Sequence, residues 1–358
     1  MNKSTGRLVL ASIVGLSLIA AACGDDEGAG EEATTTAANA VTTTAGADDP
    51  TTTVEEVIGG EVFVTGSSTV EPISVLVGEL ADANTGGALA VTVEGPGTGD
   101  GFAKFCAGEA DVADASRKIK DEEIALCADA GIEFIELEVA IDGLTVATSP
   151  ANEAVTCLDY PALYALIGPE AEGFSNWTDA QALATELGTT SAAFPDADLV
   201  ITGPGPESGT YDSFIEIALS KIAKSREADA KSARNDYTQS PNDNVIVEGI
   251  EGSDSSLGWV GFAFYAAEQD RMKAIEIDKG DGCVAPTTET IADGSYPLSR
   301  SLFIYVSANA LADNPAVGAF VDLYLSDEGI ASVAEAGYVD LPAERLEASR
   351  TTWADATA

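Results

Sequence analysis

The sequence predicts an α/β protein of two lobes joined by two chain crossings, with a ligand site between them. Three observations carry this expectation. From Glu61 onward, strand and helix patterns alternate in the βαβ rhythm of a mostly parallel sheet covered by helices on both faces. Two long apolar stretches, residues 139–148 and 296–305, read as strands that leave the first unit and return to it, which is hinge architecture. Three apolar strands run into Gly/Ser/Thr turns that open amphipathic helices, and in sheets of this kind ligands bind at those carboxyl ends.

The first unit starts with a strand at 62–65 and a helix over 71–83. A strand at 89–93 leads to a helix from Gly101, followed by a short apolar segment at 111–115. Residues 121–130 read as a helix and 132–138 as a strand, separate from the crossing strand at 139–148. The middle unit holds helices near 158–167 and 180–187, with Trp177 in the turn between them. A strand at 199–202 and a helix running from Thr210 toward Lys224 follow; apolar stretches at 257–265 and 274–277 complete the unit. Helices at 314–325 and 327–336 close the first unit. Lobe I is therefore expected to comprise residues 57–140 and 297–358, and lobe II residues 141–296.

The three turns are Gly66-Ser67-Ser68-Thr69, Gly97-Thr98-Gly99-Asp100-Gly101 and Ser208-Gly209-Thr210. Each places backbone N–H groups that lack an intrahelical acceptor at a helix N-terminus. Hydroxyls stand beside them, and glycines let a ligand come close. One such turn is an ordinary helix start, with Thr98 or Asp100 as cap in the second. Three of them, with Arg117 nearby in Ala113-Asp114-Ala115-Ser116-Arg117, imply an oxyanion site. The second turn is no P-loop, because no Gly-Lys-Ser/Thr follows it. Trp177, Trp259 and the cluster Phe262, Phe264 and Tyr265 read as core.

Composition excludes several classes. With 60 acidic against 17 basic residues, the net charge of −43 excludes nucleic acid as a partner, since phosphate backbones need clustered cations. No Lys or Arg lies between Arg7 and Lys104 or between Lys120 and Lys221, so Arg117, Arg234 and Arg300 each require a reason. Histidine is absent, which removes Ser-His catalysis and His-ligated metal sites. No Gly-x-Ser-x-Gly elbow with a plausible base stands out. The reading is a binding protein and not an enzyme, with no catalytic residue, metal or cofactor.

The N-terminus reads as an export signal over residues 1–22: Lys3 and Arg7, an apolar stretch at 8–19, then Ala20-Ala21-Ala22. Cys23 after these small residues resembles the lipid-modified cysteine of a bacterial lipobox, although Ala20 stands where leucine is commoner. Residues 23–56 are Thr-rich and poor in apolar groups, as in a disordered tether. If Cys23 is lipidated, Cys106, Cys127, Cys157 and Cys283 remain, an even set in an exported chain. The expected bridges are Cys106–Cys127, which bracket the Arg117 segment, and Cys157–Cys283, which tie the two ends of the middle lobe.

Taken in order, several motifs resemble the phosphate-binding lipoproteins of high-affinity phosphate ABC transporters, within the two-lobed periplasmic-binding-protein superfamily. They are Thr65-Gly66-Ser67-Ser68-Thr69-Val70, the run from Gly97 to Phe105, the run from Ala113 to Ile119, and the run from Gly203 to Phe214. The runs 232–240 and 258–265 and Pro297-Leu298-Ser299-Arg300 complete the match. The resemblance implies a type II fold with two hinge crossings and the ligand in the interlobe cleft. It places phosphate against Ser68, Thr69, Val70, Thr98, Ser116, Arg117, Ser208, Gly209 and Thr210. Two departures stand out: Gly203-Pro204-Gly205-Pro206 replaces an arginine common before the Ser-Gly-Thr turn, and Ser116 stands where the better-studied branch has an aspartate. Arg117 is then the main cationic ligand, and Arg234 and Arg300 serve interlobe geometry or core ion pairs. Glu207 is the first candidate to accept the phosphate proton, with Asp100 and Asp212 behind it. The implied partners are inorganic phosphate and an ABC permease in the membrane, for a monomer held by lipid on the outer face of the cytoplasmic membrane. A receptor for another oxyanion such as sulfate or molybdate, or a surface adhesion or signalling protein of the same fold, are the alternatives.

Overall fold

The chain alternates strand and helix throughout residues 58–358, as the pattern of apolar positions requires, in a computed structural model that describes those residues. The expected signal peptide at 1–22, Cys23 and the expected tether at 23–56 lie outside the described residues. In chain order the strands are β1 (Gly60–Gly66), β2 (Leu89–Glu94), β3 (Val112–Ala115), β4 (Phe134–Thr148), β5 (Cys157–Asp159) and β6 (Val200–Gly203). They continue with β7 (Thr238–Gln239), β8 (Ser256–Gly261), β9 (Lys273–Ala274), β10 (Glu276–Asp278), β11 (Cys283–Val284) and β12 (Ser299–Ser307). A nine-stranded sheet has the order β2-β1-β3-β12-β4-β8-β6-β7, with β9 also pairing with β4; β11-β10-β5 form a small second sheet.

The sheet is mixed where a mostly parallel one was expected. β1 pairs in parallel with β2 and β3, and β6 in parallel with β7 and β8. Between these two parallel sets, β12 runs antiparallel to β3 and β4, and β4 antiparallel to β8. The reversal follows from the crossings themselves, because the strand that leaves one lobe and the strand that returns to it run in opposite directions. The two strands expected at 132–138 and 139–148 are also one: β4 is a single strand of 15 residues. No turn residue interrupts Leu137-Glu138-Val139-Ala140, so nothing ends the first segment. The N-terminal part of β4 pairs with β12 up to Gly143, and from Leu144 it pairs with β8. β4 thus joins the two lobes of the fold, and a register shift at Leu302/Phe303 in β12 marks the same zone.

Strand alternation feeds a core on each face of the lobe I half. Leu302, Ile304 and Val306 pack with Val62, Val64, Ile73, Val77 and Phe320, whereas Phe303 and Tyr305 pack with Phe102, Phe105 and the Cys106/Cys127 pair. Three helices carry this: α1 (Glu71–Thr85) lies on the first face, and α2 (Thr98–Cys106) and α3 (Asp121–Ala130) on the second. The other half is built around Trp177, Trp259, Phe214 and the helix Tyr160–Ile167. Trp177 and Trp259 are fully buried, so both indoles are core as expected. The expected helix from Thr210 to Lys224 is present but broken in type. An α-helical turn at Gly209–Phe214 gives way to a π-helical segment at Ile215–Leu219 and then to Ser220–Ser225.

Both expected disulfides are formed, Cys106–Cys127 and Cys157–Cys283. Their separations of 21 and 126 residues correspond to roughly 3 and 5 kcal/mol in the chain-entropy view. A further helix, Ala343–Ala356, packs on β4 through Ser349, whose hydroxyl donates to the Glu138 carbonyl. Its Arg345 binds the Glu138 carboxylate, Ser301 and the Ala292 carbonyl together, which clamps the junction of the lobes. No helix among the described residues is long and apolar enough to cross a membrane.

Behind the site, Asp114 of β3 is fully buried and takes a hydrogen bond at 2.9 Å from Ser74 of α1, whose hydroxyl also meets Tyr324. Its second carboxylate oxygen has no partner among the described residues. Burial pushes its pKa up to about 8, against the lowering effect of the Ser74 bond and with a small further push from Glu71. A carboxyl whose folded pKa lies above its unfolded one stabilises fully below about pH 4 and loses that contribution as pH climbs toward 8. Asp114→Asn removes the titration and keeps the Ser74 bond. Urea midpoints at pH 5, 6.5 and 8 should converge in the mutant, where the wild-type protein loses up to ~1.4 kcal/mol per pH unit more. Parallel curves for the two proteins would contradict this.

Candidate functional site

Two glycines bring the first two turns together. Gly66 ends β1 at φ +146°, and a Cβ there would meet the Asp114 carbonyl oxygen at 2.1 Å. Gly101 packs face to face with it: its own Cβ would lie 2.3 Å from the Gly66 Cα. Backbone bonds lock the arrangement, from Gly97 N–H to the Gly66 carbonyl at 2.7 Å and from Ser67 N–H to the Asp114 carbonyl at 2.9 Å. The third strand end joins them through Thr98, whose hydroxyl meets Ser116 Oγ at 3.0 Å and accepts from the Ser116 N–H. Three strand ends thus converge on one polar floor, with Thr69, Thr98 and Ser116 all buried.

The opposite lobe closes onto this floor. Ser208 caps the helix Gly209–Phe214 by accepting from the Thr210 N–H. One turn later, Asp212 accepts from the Ser68 hydroxyl at 2.7 Å, and Ser213 Oγ lies 3.1 Å from Thr69 Oγ1. A Cβ on Gly209 would stand 3.0 Å from the Ser68 carbonyl, so the lobes touch here. Beside the contact lies a cavity of about 470 Å³. Ser68, Thr69, Thr98, Ser116 and Arg117 line it from one side, and Asp212, Ile215 and Glu216 from the other.

The sequence-predicted residues divide accordingly. Ser68, Thr69, Thr98, Ser116 and Arg117 are brought together on the cavity wall. Val70 is instead fully buried in the core, its N–H bonded to the Ser67 carbonyl at 3.0 Å. Ser208, Gly209 and Thr210 are half-buried at the lobe contact, outside the cavity lining. Among the carboxylates, Asp100 and Asp212 line the cavity, whereas Glu207 is exposed and folds back over Gly205.

Arg117 is not a free cation. Its guanidinium binds Glu123 of α3 with two bonds of 2.8 and 2.7 Å and rests over the Phe102 ring. The Arg117 pair, with a helix-start N–H bond from Lys120, holds the Glu123 carboxyl below its usual range against burial, which alone would raise it. Arg234 sits deep in the other lobe on Asp236 and the carbonyls of Leu166 and Phe174, away from the cavity. Arg300 carries more of the site than its sequence motif implied. From β12 it donates to Thr69 Oγ1 at 3.0 Å, to Ser213 Oγ at 2.7 Å and to Glu216 at 2.6 Å. It also faces Asp142 of β4 at 3.4 Å. One guanidinium therefore ties both lobes to the junction strand. The sequence signals were its place in Pro297-Leu298-Ser299-Arg300 and the scarcity of cations, which pointed to interlobe geometry or a core ion pair.

Asp142 is buried, and burial pushes its carboxyl above the ordinary range while Arg300 and Ser213 pull it down. Removing the arginine strands that carboxyl. Arg300→Met is expected to cost about 3 kcal/mol, more at pH 8 than at pH 5, and Asp142→Asn in the same background should recover most of it. Chemical denaturation of the four proteins of this cycle measures the coupling; additive losses would show that the pair does not interact.

Comparison with known proteins agrees with this geometry. A family model described as a PBP superfamily domain matches residues 29–328. Protein SphX of Synechocystis is 37% identical over 79% of this chain and 79% of its own length. The phosphate-binding protein PstS of Staphylococcus aureus is also 37% identical, with the same coverage of both chains. The crystal structure of a possible phosphate binding protein from Planctomyces limnophilus superposes with a TM-score of 0.76 at 37% identity, covering 84% of this chain and all of that one. With a PBP model spanning most of its length and relatives of this identity, the chain belongs to the PBP superfamily, in the family that includes the phosphate-binding protein PstS.

Proposed function

We propose that the protein is an extracytoplasmic receptor that binds inorganic phosphate in the interlobe cavity and delivers it to an ABC transporter permease. The observation that supports this best is a buried, hydroxyl-rich floor built from three strand ends, with the first turn of α2 beside it; the first turn of α1 has its N–H groups bonded to the Ser67 and Val70 carbonyls. First-turn N–H groups have no acceptor in their own helix, so they and the hydroxyls can hold an anion without a full countercharge. Ser68, Thr69, Thr98 and Ser116 bind from one lobe, the Ser208-Gly209-Thr210 turn faces them, and Val70 backs the first turn from the core. Arg117 remains the cationic ligand, held in place by Glu123. The chain acts as a monomer and performs no chemistry on its ligand.

In this reading the lobes are residues 57–140 with 297–358 and residues 141–296, consistent with the change of partner along β4 after Gly143. Residues 1–22 direct export, and a lipid on Cys23 with the tether behind it keeps the receptor beside its permease.

Phosphate near neutral pH still carries a proton that sulfate lacks, so a carboxylate acceptor favours the former and repels the latter. Asp212 fits that role better than Glu207, because it lines the cavity and already accepts from Ser68. Calorimetric titration with phosphate and then sulfate tests the proposal. Phosphate should bind and sulfate should not; equal affinities would favour a general oxyanion receptor, and no binding of either would favour an adhesion or signalling role. Arg117→Lys should weaken phosphate at least tenfold, ~1.4 kcal/mol, since an ammonium cannot keep two parallel bonds to Glu123 and still have a guanidinium's further donors for the ligand. Asp212→Asn should weaken phosphate and narrow its margin over sulfate. An unchanged margin would return the acceptor role to Asp100 or Glu207.

A further inference from the structure

Every arginine among the described residues is matched to a carboxylate. The lysines differ. Lys104 and Lys118 pair with Glu94 and Glu136, but Lys120, Lys221, Lys224, Lys231, Lys273 and Lys279 have no carboxylate within 4.0 Å among the described residues. What sets Lys120, Lys224 and Lys231 apart, in a chain of net charge −43, is that these three line the same cavity. Lys120 comes from the loop before α3 on one lip, and Lys224 and Lys231 from the helix Ser220–Ser225 and the loop after it on the other. All three are exposed at the mouth, outside the buried hydroxyl floor.

The carboxylates of the cavity leave this charge uncancelled in part. Asp212 is occupied by Ser68 and Glu216 by Arg300, which leaves Asp100 as the acid of the wall without a partner side chain among the described residues. We infer that Lys120, Lys224 and Lys231 form an outer capture ring that draws a small inorganic anion into the cleft before the hydroxyl floor binds it. This rests on the phosphate-receptor reading above. A strongly acidic surface repels anions at range, and screening confines the effect of each charge to about 8 Å at physiological salt. Local positive charge at the mouth reverses the sign of the potential where the ligand must enter, which acts on the association rate more than on the bound state. The ring is also split between lobes, so its like charges oppose closure until an anion lies between them.

Stopped-flow binding of inorganic phosphate to the full-length protein and to the triple Lys120→Gln, Lys224→Gln, Lys231→Gln variant tests this. At low ionic strength the variant should associate about tenfold more slowly, with a much smaller change in release. The gap should shrink toward equality near 0.5 M salt, about where the screening length falls below the size of the cleft. Lys279→Gln serves as control, because Lys279 is exposed and outside the cavity, and it should associate like the wild type. Equal association rates at low salt, or an affinity loss carried by release alone, would overturn the inference. Calorimetry on the wild-type protein decides the underlying reading separately: without phosphate binding there, the ring falls with it.

Discussion

A buried carboxylate in the strand that joins the two lobes sets the terms for the rest of the molecule. Asp142 lies in β4 close to the point where that strand changes partner, and its environment disfavours charge. Such a group must be paired or protonated, and the pairing falls to Arg300 from the adjacent β12. Once the guanidinium is there, its remaining donors reach Thr69 on one lobe and Ser213 and Glu216 on the other. The electrostatic solution at the junction and the shape of the cavity floor are therefore one network. A change in how the lobes meet would be felt by the same hydroxyls that face the ligand.

The charges near the cavity are largely spent on protein partners. Arg117 is held by Glu123 and Arg300 by Asp142 and Glu216, so most of what the floor offers an anion is hydroxyls and the helix-start N–H groups of α2. Oriented dipoles suit a site that must release what it binds, since they stabilise an anion without the desolvation cost of a bare cation. The glycine contacts between Gly66 and Gly101 make this possible, because they let two helix starts approach more closely than side chains would permit.

Features set by neighbouring residues were legible in the sequence, and those set by distant contacts were not. The Gly/Ser/Thr turns could be read because turn chemistry is local, and the disulfide pairing because each pair brackets a single unit. The division of β4 into two strands failed because only a turn residue would have announced an end, and none was needed. Arg300 could be noticed but not placed: its bond to Thr69 spans 231 positions, and no local pattern encodes it. The helix Ala343–Ala356 escaped because it is largely polar and buries only Ser349 and Trp353, leaving almost no periodic apolar stripe. Glu207 drew attention as the acidic neighbour of Ser208, yet position next to a turn does not fix where a carboxylate points.

The two cross-links have a consequence for how the chain matures. In a polypeptide that emerges N-terminus first, Cys106 and Cys127 are both available before the junction strand β4 has appeared. Once they are joined, Cys157 meets no competing thiol among the described residues until Cys283 arrives, 126 positions later. Among these four cysteines the order of emergence then favours the native connectivity, and each bond stays within one lobe. Oxidation stiffens the two halves separately and leaves the passage between them free to move.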